Sequence, residues 1–261
     1  MSVPAKASMA EELLYEIRGS TAVITINRPQ KRNAINRAVR EGLFEVFAEF
    51  ERSDQKVAIL TGAGDNAFCA GMDLVEAAEL GVGVPPAGFL PILGDNVRVS
   101  KPVIGAVNGL ALAGGWLFAQ MCDICLAAEH ASFGITEAKV GRGMPWATPL
   151  IHMIPQRIAM ELLITGTPIS AERAREIGFV NHVLPAGELL PRALEMAETI
   201  AQNAPLTVRA AKEALMMATE MGRAAALRTA TSIFDSVYRS EDALEGPRAF
   251  KEKRKPQWQG R

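Results

Sequence analysis

The sequence predicts a mixed α/β fold that is followed by a helical C-terminal region. Short apolar runs with strand character alternate with helical patterns up to about residue 185, and no strand pattern comes after them. The chain has 261 residues, which suits one large domain or a domain with an appendage. We therefore expect an α/β core over residues 1–200 and a helical region over residues 201–261.

Six short runs have the apolar and β-branched composition of strands. They are Ala22–Asn27, Val57–Thr61, Val103–Val107, Ile124–Ala128, Ser132–Gly134 and Val180–Leu184. Helical patterns lie between several of them, and this alternation is the observation that favours an α/β core.

The helical patterns have recognisable faces and ends. Arg37–Arg52 repeats apolar side chains at helical spacing, which predicts one buried face. That face consists of Val39, Leu43, Val46, Phe47 and Phe50. Ser170 is a helix N-cap candidate, and Gly178 is placed to end the same helix. Pro205–Met221 reads as a long helix in the C-terminal region.

Two segments are candidate linkers. The Gly- and Pro-rich segment Gly81–Gly88 follows the first of two glycine turns described below, and Asn203–Pro205 precedes the C-terminal helices. The first segment could be a mobile, substrate-facing lid or a plain surface loop, and both interpretations remain open.

Composition excludes several classes of function. The net charge of −1 argues against a nucleic-acid partner that binds through bulk charge. Residues 1–10 contain no apolar secretion signal, and the apolar run Leu110–Ala119 is shorter than the roughly 20 residues that span a bilayer. We expect a cytoplasmic protein with neither a nucleic-acid nor a membrane partner.

Cysteine and histidine usage predicts neither disulfides nor a metal site. The three cysteines are Cys69, Cys122 and Cys125, an odd number in a chain without a secretion signal. Cys122 and Cys125 have the spacing of a redox pair, but residues three apart on a strand face opposite ways. We expect both to be buried and inert. Only three histidines are present, and no carboxylates cluster at ligand spacing.

Two Gly- and Ala-rich turns are the most informative part of the chain. Ala67–Leu74 and Asn108–Leu117 each follow a strand-like run, and the second opens into a helix that begins at Gly114. Main-chain N–H groups from two such turns can hold the oxygen of a polarised carbonyl as an oxyanion hole. Met72 and Gly114 are the candidate donors. The alternative is that the paired glycines only let a helix pack closely on a sheet.

Oxyanion chemistry also needs an acid or base that moves protons. Glu137 follows a short predicted strand, and Asp73 lies beside the first turn. Glu137 could instead be a solvated loop acid, and Asp73 could be an acid that the helix dipole favours at a helix start. A Ser/His/Asp triad is poorly supported, because none of the three histidines lies in a nucleophile motif and no G-x-S-x-G turn is present.

Taken together and in order, these segments resemble the crotonase (enoyl-CoA hydratase/isomerase) superfamily. The resemblance extends over essentially the whole chain. It is carried by the segments Ile24–Ala34, Ala67–Leu74, Lys101–Gly109, Cys122–Ile124, Phe133–Gly134, Leu163–Gly166 and Phe250–Pro256.

The resemblance implies an α/β spiral of ββα units with C-terminal helices that form homotrimers, or hexamers built from two trimers. It implies an acyl-CoA thioester as substrate, no separate cofactor, Met72 and Gly114 as oxyanion donors and Glu137 as acid/base. The residues that it implies for coenzyme A binding are Arg32, Ala34, Ala70, Asp73, Leu74 and, in the basic tail beside Arg254, Lys253. That tail could equally be a solvated helix end.

The sequence departs from the family pattern where hydratases carry a second glutamate. That position is Leu117, and leucine can neither bind nor activate water. The loop after Glu137 is also altered, over Gly141–Thr148. Trp116 and Trp146 would make an acyl pocket bulky and aromatic, although core packing explains either one as well.

This departure leaves several functions open. A single carboxylate suits double-bond migration, while hydration or dehydration would need a stand-in for the lost acid, such as Glu76, Asp95 or a hydroxyl on the thioester side. Thioester hydrolysis and a scaffold that binds coenzyme A or RNA without catalysis are weaker alternatives. The acyl group, the choice between trimer and hexamer, and the pathway do not follow from the sequence.

Overall fold

The computed structural model describes residues 11–79, 81 and 83–261. Within these residues the chain forms ten strands and nine α-helices. In chain order they are β1 (Leu13–Arg18), β2 (Thr21–Ile26), α1 (Arg37–Arg52), β3 (Val57–Gly62), β4 (Ala67–Cys69), α2 (Leu74–Glu79), β5 (Val103–Val107), β6 (Leu110–Leu112), α3 (Gly114–Gln120), β7 (Ile124–Ala128), β8 (Ser132–Gly134), α4 (Gln156–Thr165), β9 (Ile169–Ser170), α5 (Ala171–Glu176), β10 (His182–Leu184), α6 (Ala186–Ala201), α7 (Pro205–Ala218), α8 (Arg223–Tyr238) and α9 (Glu241–Lys251). Two 3-10 segments, Glu137–Val140 and Pro145–His152, lie between β8 and α4.

The strands form two sheets, and successive pairs of strands are divided between them. The larger sheet has the order β1-β2-β3-β5-β7-β10, and the smaller has the order β4-β6-β8-β9. β3, β5 and β7 belong to the first sheet, whereas the strands that follow them, β4, β6 and β8, belong to the second. This alternation is the expected spiral of ββα units. All neighbours pair in parallel except β1 with β2 and β8 with β9.

The central strands are buried on both faces, as parallel strands covered by helices should be. Every residue of β3 and β5 is buried, and these two strands lie in the middle of the larger sheet. The predicted runs Val103–Val107, Ile124–Ala128 and Ser132–Gly134 are strands with those bounds. The predicted run Val180–Leu184 is too long, because its strand begins at His182.

α1 confirms the predicted helix Arg37–Arg52 and its buried face. The Asn36 side chain caps its start by accepting a hydrogen bond from the Val39 N–H. At its end, the buried Lys101 ammonium donates to the carbonyl of Phe50 at 2.7 Å and to that of Ser53 at 2.5 Å. The Phe50 carbonyl also accepts from the Ser53 N–H and hydroxyl, and the cation adds favourable charge at the C-terminus of the helix.

The other predicted helices are also present, although one of them ends earlier than expected. The Ser170 side chain caps α5, and Gly178 follows that helix with φ +89°. The long helix predicted from Pro205 ends at Ala218, three residues earlier than expected. Part of the predicted Gly81–Gly88 loop, Val82, lies outside the described residues, as do residues 1–10.

The cysteines are free thiols in buried or half-buried positions. Burial raises the pKa of the Cys125 thiol to about 12 and also raises the pKa of the Cys122 thiol. Both shifts make the thiolate scarce, as expected for inert cysteines. Because β7 begins at Ile124, Cys125 lies on this strand and Cys122 lies before it, where it is half-buried rather than buried as expected.

The last four helices divide into one packed helix, α6, which begins before the expected boundary at residue 201, and three more exposed ones. α6 packs across the larger sheet against β2, β3, β5 and β7. α7, α8 and α9 follow it and keep several large apolar side chains exposed. These side chains are Leu215, Met216, Met217, Leu227, Tyr238, Leu244 and Phe250.

The C-terminal tail folds back on these helices. The Trp258 indole N–H donates to the Gln202 carbonyl, in the connection between α6 and α7, at 2.7 Å. The amides of Gln259 and Gly260 donate to the Asp242 carboxylate at 2.6 and 2.9 Å. The tail therefore joins the start of α9 to the end of α6.

In the described part of the chain, no helix has both the length and the apolar character that crossing a membrane requires. The same residues contain no group of three or more His, Cys, Asp or Glu side chains that could hold a metal ion.

Candidate active site

The two glycine turns lie against each other after β4 and β6, which are paired strands of the smaller sheet. Gly71, after β4, has φ +89°. A methyl group there would lie 2.8 Å from the Ala113 Cβ and 3.4 Å from the Gly114 nitrogen. Only glycine combines this backbone conformation with such close contact. The two turns that the sequence singled out are therefore neighbours in space.

The Met72 segment is held by a short parallel bridge to Ile35. The Ile35 N–H donates to the Gly71 carbonyl at 2.8 Å, and the Asp73 N–H donates to the Ile35 carbonyl at 2.9 Å. In such a bridge the N–H of the middle residue faces away from the partner. The Met72 N–H donates to no backbone acceptor within the described residues.

Gly114 is the first residue of α3, where helix N–H groups have no acceptor inside the helix. Ala113, just before it, has φ +54° and ψ −120°, a backbone conformation that costs a non-glycine residue energy. The Ala113 N–H is fixed by a 2.8 Å bond to the Gly134 carbonyl at the end of β8. The strained turn thus lies beside the strand that leads to Glu137.

Glu137 begins the 3-10 segment three residues after β8 and is only 7% exposed. Its Oε2 is buried and has no hydrogen-bond partner among the described residues. Burial raises the pKa of this carboxyl to about 7, against the lowering effect of the backbone amides of Glu137 and Thr136. The alternative of a solvated loop acid is wrong. A buried carboxyl that titrates near neutrality suits proton transfer.

The position of the second family glutamate is apolar in space as well as in sequence. Leu117 is 1% exposed and lies within the first turns of α3, after Gly114. No residue of α3 carries an ionisable side chain. Of the two carboxylates among the candidate stand-ins, Glu76 accepts a hydrogen bond from the Arg37 N–H at the start of α1, and Asp95 is exposed.

The two tryptophans have different surroundings. Trp116 is fully buried, with ring centroids 4.6 Å from Phe179 and 6.0 Å from Phe133. This aromatic cluster supports core packing for Trp116. Trp146 is half-buried, and its carbonyl accepts a 2.9 Å hydrogen bond from the Gln120 side chain. A role for either tryptophan in an acyl pocket stays a prediction.

Several residues predicted to bind coenzyme A lie together beside the first turn. The Ala70 N–H donates to the Arg32 carbonyl at 3.1 Å, which joins two of them. Arg32 is exposed, and Leu74 is 55% exposed at the start of α2. Surfaces of this kind are open to a ligand, but binding itself stays a prediction.

Asp73 has a structural role, whatever else it binds. Its Oδ1 accepts hydrogen bonds from the amides of Val75 and Glu76 at the start of α2, and its Oδ2 pairs with Arg28 at 3.1 Å. Burial alone would raise the pKa of this carboxyl, but the Arg28 guanidinium and the helix amides hold it below its usual value. The interpretation of Asp73 as a helix-start acid is therefore confirmed.

The basic tail is not joined to these residues by any described hydrogen bond. Lys253 is exposed and donates its N–H to the Phe250 carbonyl. The neighbouring Arg254 pairs with Glu245 at 2.6 Å and with Glu252 at 2.6 Å. The Arg254 contact holds the pKa of Glu245 at about 2. Within this chain, Arg254 is thus engaged with carboxylates.

Sequence reasoning missed Arg28. This arginine is 7% exposed and contacts Glu12, Ala34 and Asp73 through its three nitrogens. The signal available was its position in Asn27-Arg28-Pro29, within the first segment that carries the resemblance. Its partners Glu12 and Asp73 are 16 and 45 residues away, too far to be recognised from local pattern.

Comparison with known families gives a match over most of the chain. The family model described as enoyl-CoA hydratase/isomerase matches residues 16–261. Among curated proteins, this chain is 39% identical to enoyl-CoA hydratase EchA19 of Mycobacterium tuberculosis, over 96% of this chain and 97% of that protein. It is 40% identical to carnitinyl-CoA dehydratase of Escherichia coli K12, over 97% of this chain and all of that protein.

Solved structures of enoyl-CoA hydratases/isomerases also match this chain over nearly its whole length. A crystal structure of a probable enoyl-CoA hydratase/isomerase from Mycobacterium abscessus is 42% identical with a TM-score of 0.86, and the match covers 97% of this chain and 100% of that one. A second, from Mycobacterium paratuberculosis, is 32% identical with a TM-score of 0.89, covering 96% and 99%. The shared fold therefore extends over nearly the whole length of both chains.

Proposed function

This chain belongs to the enoyl-CoA hydratase/isomerase family, and we propose that it rearranges an acyl-CoA thioester through an enolate, with Glu137 as its single acid/base. The observation that carries the proposal is the Glu137 carboxyl. It is buried, its Oε2 has no partner among the described residues, and its pKa is raised to about 7. The family's second acid is replaced by the buried Leu117.

The oxyanion hole would be formed by the Met72 and Gly114 amides. Two N–H donors on the thioester oxygen stabilise negative charge there, and this stabilisation makes the neighbouring α-carbon more acidic. In other enzymes, the loss of one such donor lowers the rate about 10²–10³-fold. The adjacency of Gly71 and Gly114 supports this role, because it brings both turns to one place.

Glu137 would then move one proton. In double-bond migration, the carboxylate takes a proton from the α-carbon of a 3-enoyl thioester, and the electron pair passes into the enolate. The same proton returns to the γ-carbon as the new double bond forms, so no water is consumed. One carboxylate suffices for this sequence, and Leu117 excludes a second acid at the family position.

Hydration or dehydration is the second candidate. It is favoured by the names of the relatives, a hydratase and a dehydratase at 39% and 40% identity. Adding water to a 2-enoyl thioester requires one group to activate the water and a proton donor for the α-carbon. With leucine at position 117, Glu137 or a further group would have to supply both functions.

Coenzyme A would lie along the exposed surface beside the first turn, with Arg32, Ala34, Ala70, Asp73 and Leu74 as its wall. Lys253 is exposed two residues after α9 and would reach a phosphate of coenzyme A, either in its own subunit or in a neighbouring one. Binding energy from this long handle would position the acyl group over Glu137. The chemistry proposed needs no separate cofactor.

The helical C-terminal region would join copies of the chain into trimers or hexamers. The exposed Leu215, Leu227 and Phe250 are 74%, 62% and 87% accessible in the single chain. A group of apolar side chains this exposed is typical of a surface that another subunit covers.

The test is product analysis with 2-enoyl-CoA and 3-enoyl-CoA substrates in heavy-oxygen water. We expect double-bond migration without incorporation of the label, and loss of that activity in Glu137→Gln. Glu161→Gln, which changes an exposed glutamate of α4, is the matched control. Label in a hydroxyacyl product would favour hydration, and release of free thiol would favour hydrolysis. If the Glu137→Gln enzyme kept every thioester activity, the catalytic proposal would be wrong.

A further inference from the structure

Arg28 joins three parts of the chain that are distant in sequence. Its Nε lies 3.0 Å from Glu12 Oε1, its Nη1 donates to the Ala34 carbonyl at 2.6 Å, and its Nη2 lies 3.1 Å from Asp73 Oδ2. Only 9% of its side chain is exposed. Charge-assisted bonds of this kind are shielded from water and hold their geometry firmly.

Two of these contacts flank the bridge that carries the Met72 amide. Asp73 directly follows Met72, and Ala34 directly precedes Ile35, the bridge partner of Met72. The bridge itself consists of the bonds from the Ile35 N–H to Gly71 and from the Asp73 N–H to Ile35. Arg28 thus holds the residue next to each member of the Ile35–Met72 pair.

We propose that Arg28 is a positioning residue that fixes the direction of the Met72 N–H by linking Ala34 to Asp73. The inference rests on the proposed function, because it takes the Met72 amide as a donor to the thioester oxygen. Arg28 acts through Asp73 and Ala34 and does not touch the thioester. A guanidinium suits this task because its fork reaches a carbonyl and a carboxylate in fixed directions at once, whereas an ammonium is a single point charge.

The third contact of Arg28 provides a matched control. Glu12 lies before β1 and, through its other oxygen, accepts a 2.7 Å hydrogen bond from Asn36 at the start of α1. It therefore shares the guanidinium and contacts Asn36, the residue after Ile35, but it contacts neither Ala34 nor Asp73, and a glutamine at position 12 keeps an oxygen that can accept from Asn36. Glu12→Gln weakens an ion pair of the same arginine and leaves the links to Ala34 and Asp73 in place.

The experiment compares Arg28→Lys, Asp73→Asn and Glu12→Gln with the unmodified chain. The probe is acetyl-CoA labelled with carbon-13 at the carbonyl. Infrared difference spectra report the carbonyl stretch of the bound thioester, and proton exchange in heavy water reports enolate formation. Asparagine at position 73 remains a good cap for α2, so this variant keeps the test valid if Arg28→Lys does not fold.

In the unmodified chain we expect a lowered carbonyl stretch and measurable exchange of the α-protons. Arg28→Lys and Asp73→Asn should move the stretch back toward that of free acetyl-CoA. They should also lower kcat for exchange about 10-fold or more while KM changes less, because the oxyanion contact strengthens in the transition state. Glu12→Gln should leave both signals within about twofold of the unmodified chain.

Two outcomes overturn the inference, and they are distinguishable. Signals that stay unchanged in Arg28→Lys and Asp73→Asn, with only the melting temperature lowered, would make Arg28 a purely structural residue. The proposed oxyanion hole would then stand. The absence of a lowered stretch and of exchange in the unmodified chain would instead overturn the proposed function, and the role of Arg28 with it.

Discussion

Gly115 packs so closely on Cys69 that a methyl group on the glycine would lie 1.9 Å from the Cys69 carbonyl oxygen. This contact joins the first turn of α3 to β4 and so holds the two glycine turns together. Gly115→Ala should therefore move backbone and lower the free energy of unfolding by more than about 3 kcal/mol, measured by urea denaturation.

Gly187 offers a matched control for that substitution. It lies in the first turn of α6, and a methyl group there would meet no atom within 4 Å. Gly187→Ala should raise the free energy of unfolding by up to about 1 kcal/mol, because alanine favours helix. Equal stability of the two alanine variants would contradict the close contact at Gly115.

The pKa of Glu137 predicts the pH dependence of activity. The carboxyl must be ionised to accept a proton, and burial raises its pKa to about 7. We expect kcat/KM for double-bond migration to rise about tenfold per pH unit below 7 and to level off above it. Initial rates measured between pH 5 and 9 would show this profile. A midpoint near 4.5, the usual value for a glutamate, would contradict the burial of the catalytic form.

The same burial should make Glu137 destabilising at high pH. The folded-state pKa of about 7 exceeds the ordinary value of 4.5, so the folded chain keeps the proton over a range in which the unfolded chain loses it. The stability that the folded chain gains by keeping this proton is fully present below about pH 4.5 and is lost as the pH rises through 7. Across this window, the free energy of unfolding of Glu137→Gln should rise by up to about 3 kcal/mol relative to that of the unmodified chain.

Chemical denaturation at pH 5 and pH 8 measures that difference directly. Glu161→Gln, on the exposed surface of α4, should show no comparable gain between the two pH values. A Glu137→Gln variant whose advantage is the same at both pH values would show that the carboxyl does not titrate in this window.

Leu117→Glu should add water chemistry to the site. A second carboxyl at the family position would supply the group that the proposed single-base reaction lacks. General acid–base catalysis typically contributes about 10²–10⁴ in rate, so we expect at least a tenfold increase in heavy-oxygen incorporation from 2-enoyl-CoA. Leu117→Gln has nearly the same shape but cannot ionise. If the two variants incorporated the label equally, water activation by the new carboxylate would be ruled out.

Leu227→Asp tests the proposed association of subunits through the C-terminal helices and should weaken it. Leu227 is 62% exposed on α8, and burial of such a side chain is worth about 1.5–3 kcal/mol. A carboxylate there should lower the association constant at least about tenfold, seen as smaller species in size-exclusion chromatography with light scattering. Ile17→Asp on β1, where the isoleucine is 57% exposed, is the control and should not change the mass.

The parts of the fold that follow from sequence are those whose pattern is local. The apolar spacing in Arg37–Arg52 defines a helix without reference to any other segment. The central strands β5 and β7 stand out because both of their faces are buried. β1, β4, β6 and β9 were not predicted as strands. β4, β6 and β9 have only two or three residues, too few to show the period of a strand even where, as in β6, they lie within a longer apolar run, and β1 is exposed at four of its six positions.

The candidate site likewise has residues that local sequence signals predict and residues that only tertiary contacts reveal. Its glycine turns and Glu137 could be chosen from sequence, because small residues beside strands and a carboxylate after one are local signals. The Arg28 contacts could not, since they depend on how Glu12 and Asp73 meet in space. The aromatic contacts of Trp116 could not be predicted either, because Phe133 and Phe179 come from different parts of the chain.

The hydrogen bond between Trp258 and Gln202 closes the last quarter of the chain into a loop without a covalent link. A helix inside such a loop cannot fray outward from a free end until that bond opens. α7, α8 and α9 should therefore exchange their amide hydrogens as one cooperative unit, with similar opening free energies rather than a gradient toward the C-terminus. Trp258→Phe, which removes the indole donor, should release α9 first and restore that gradient.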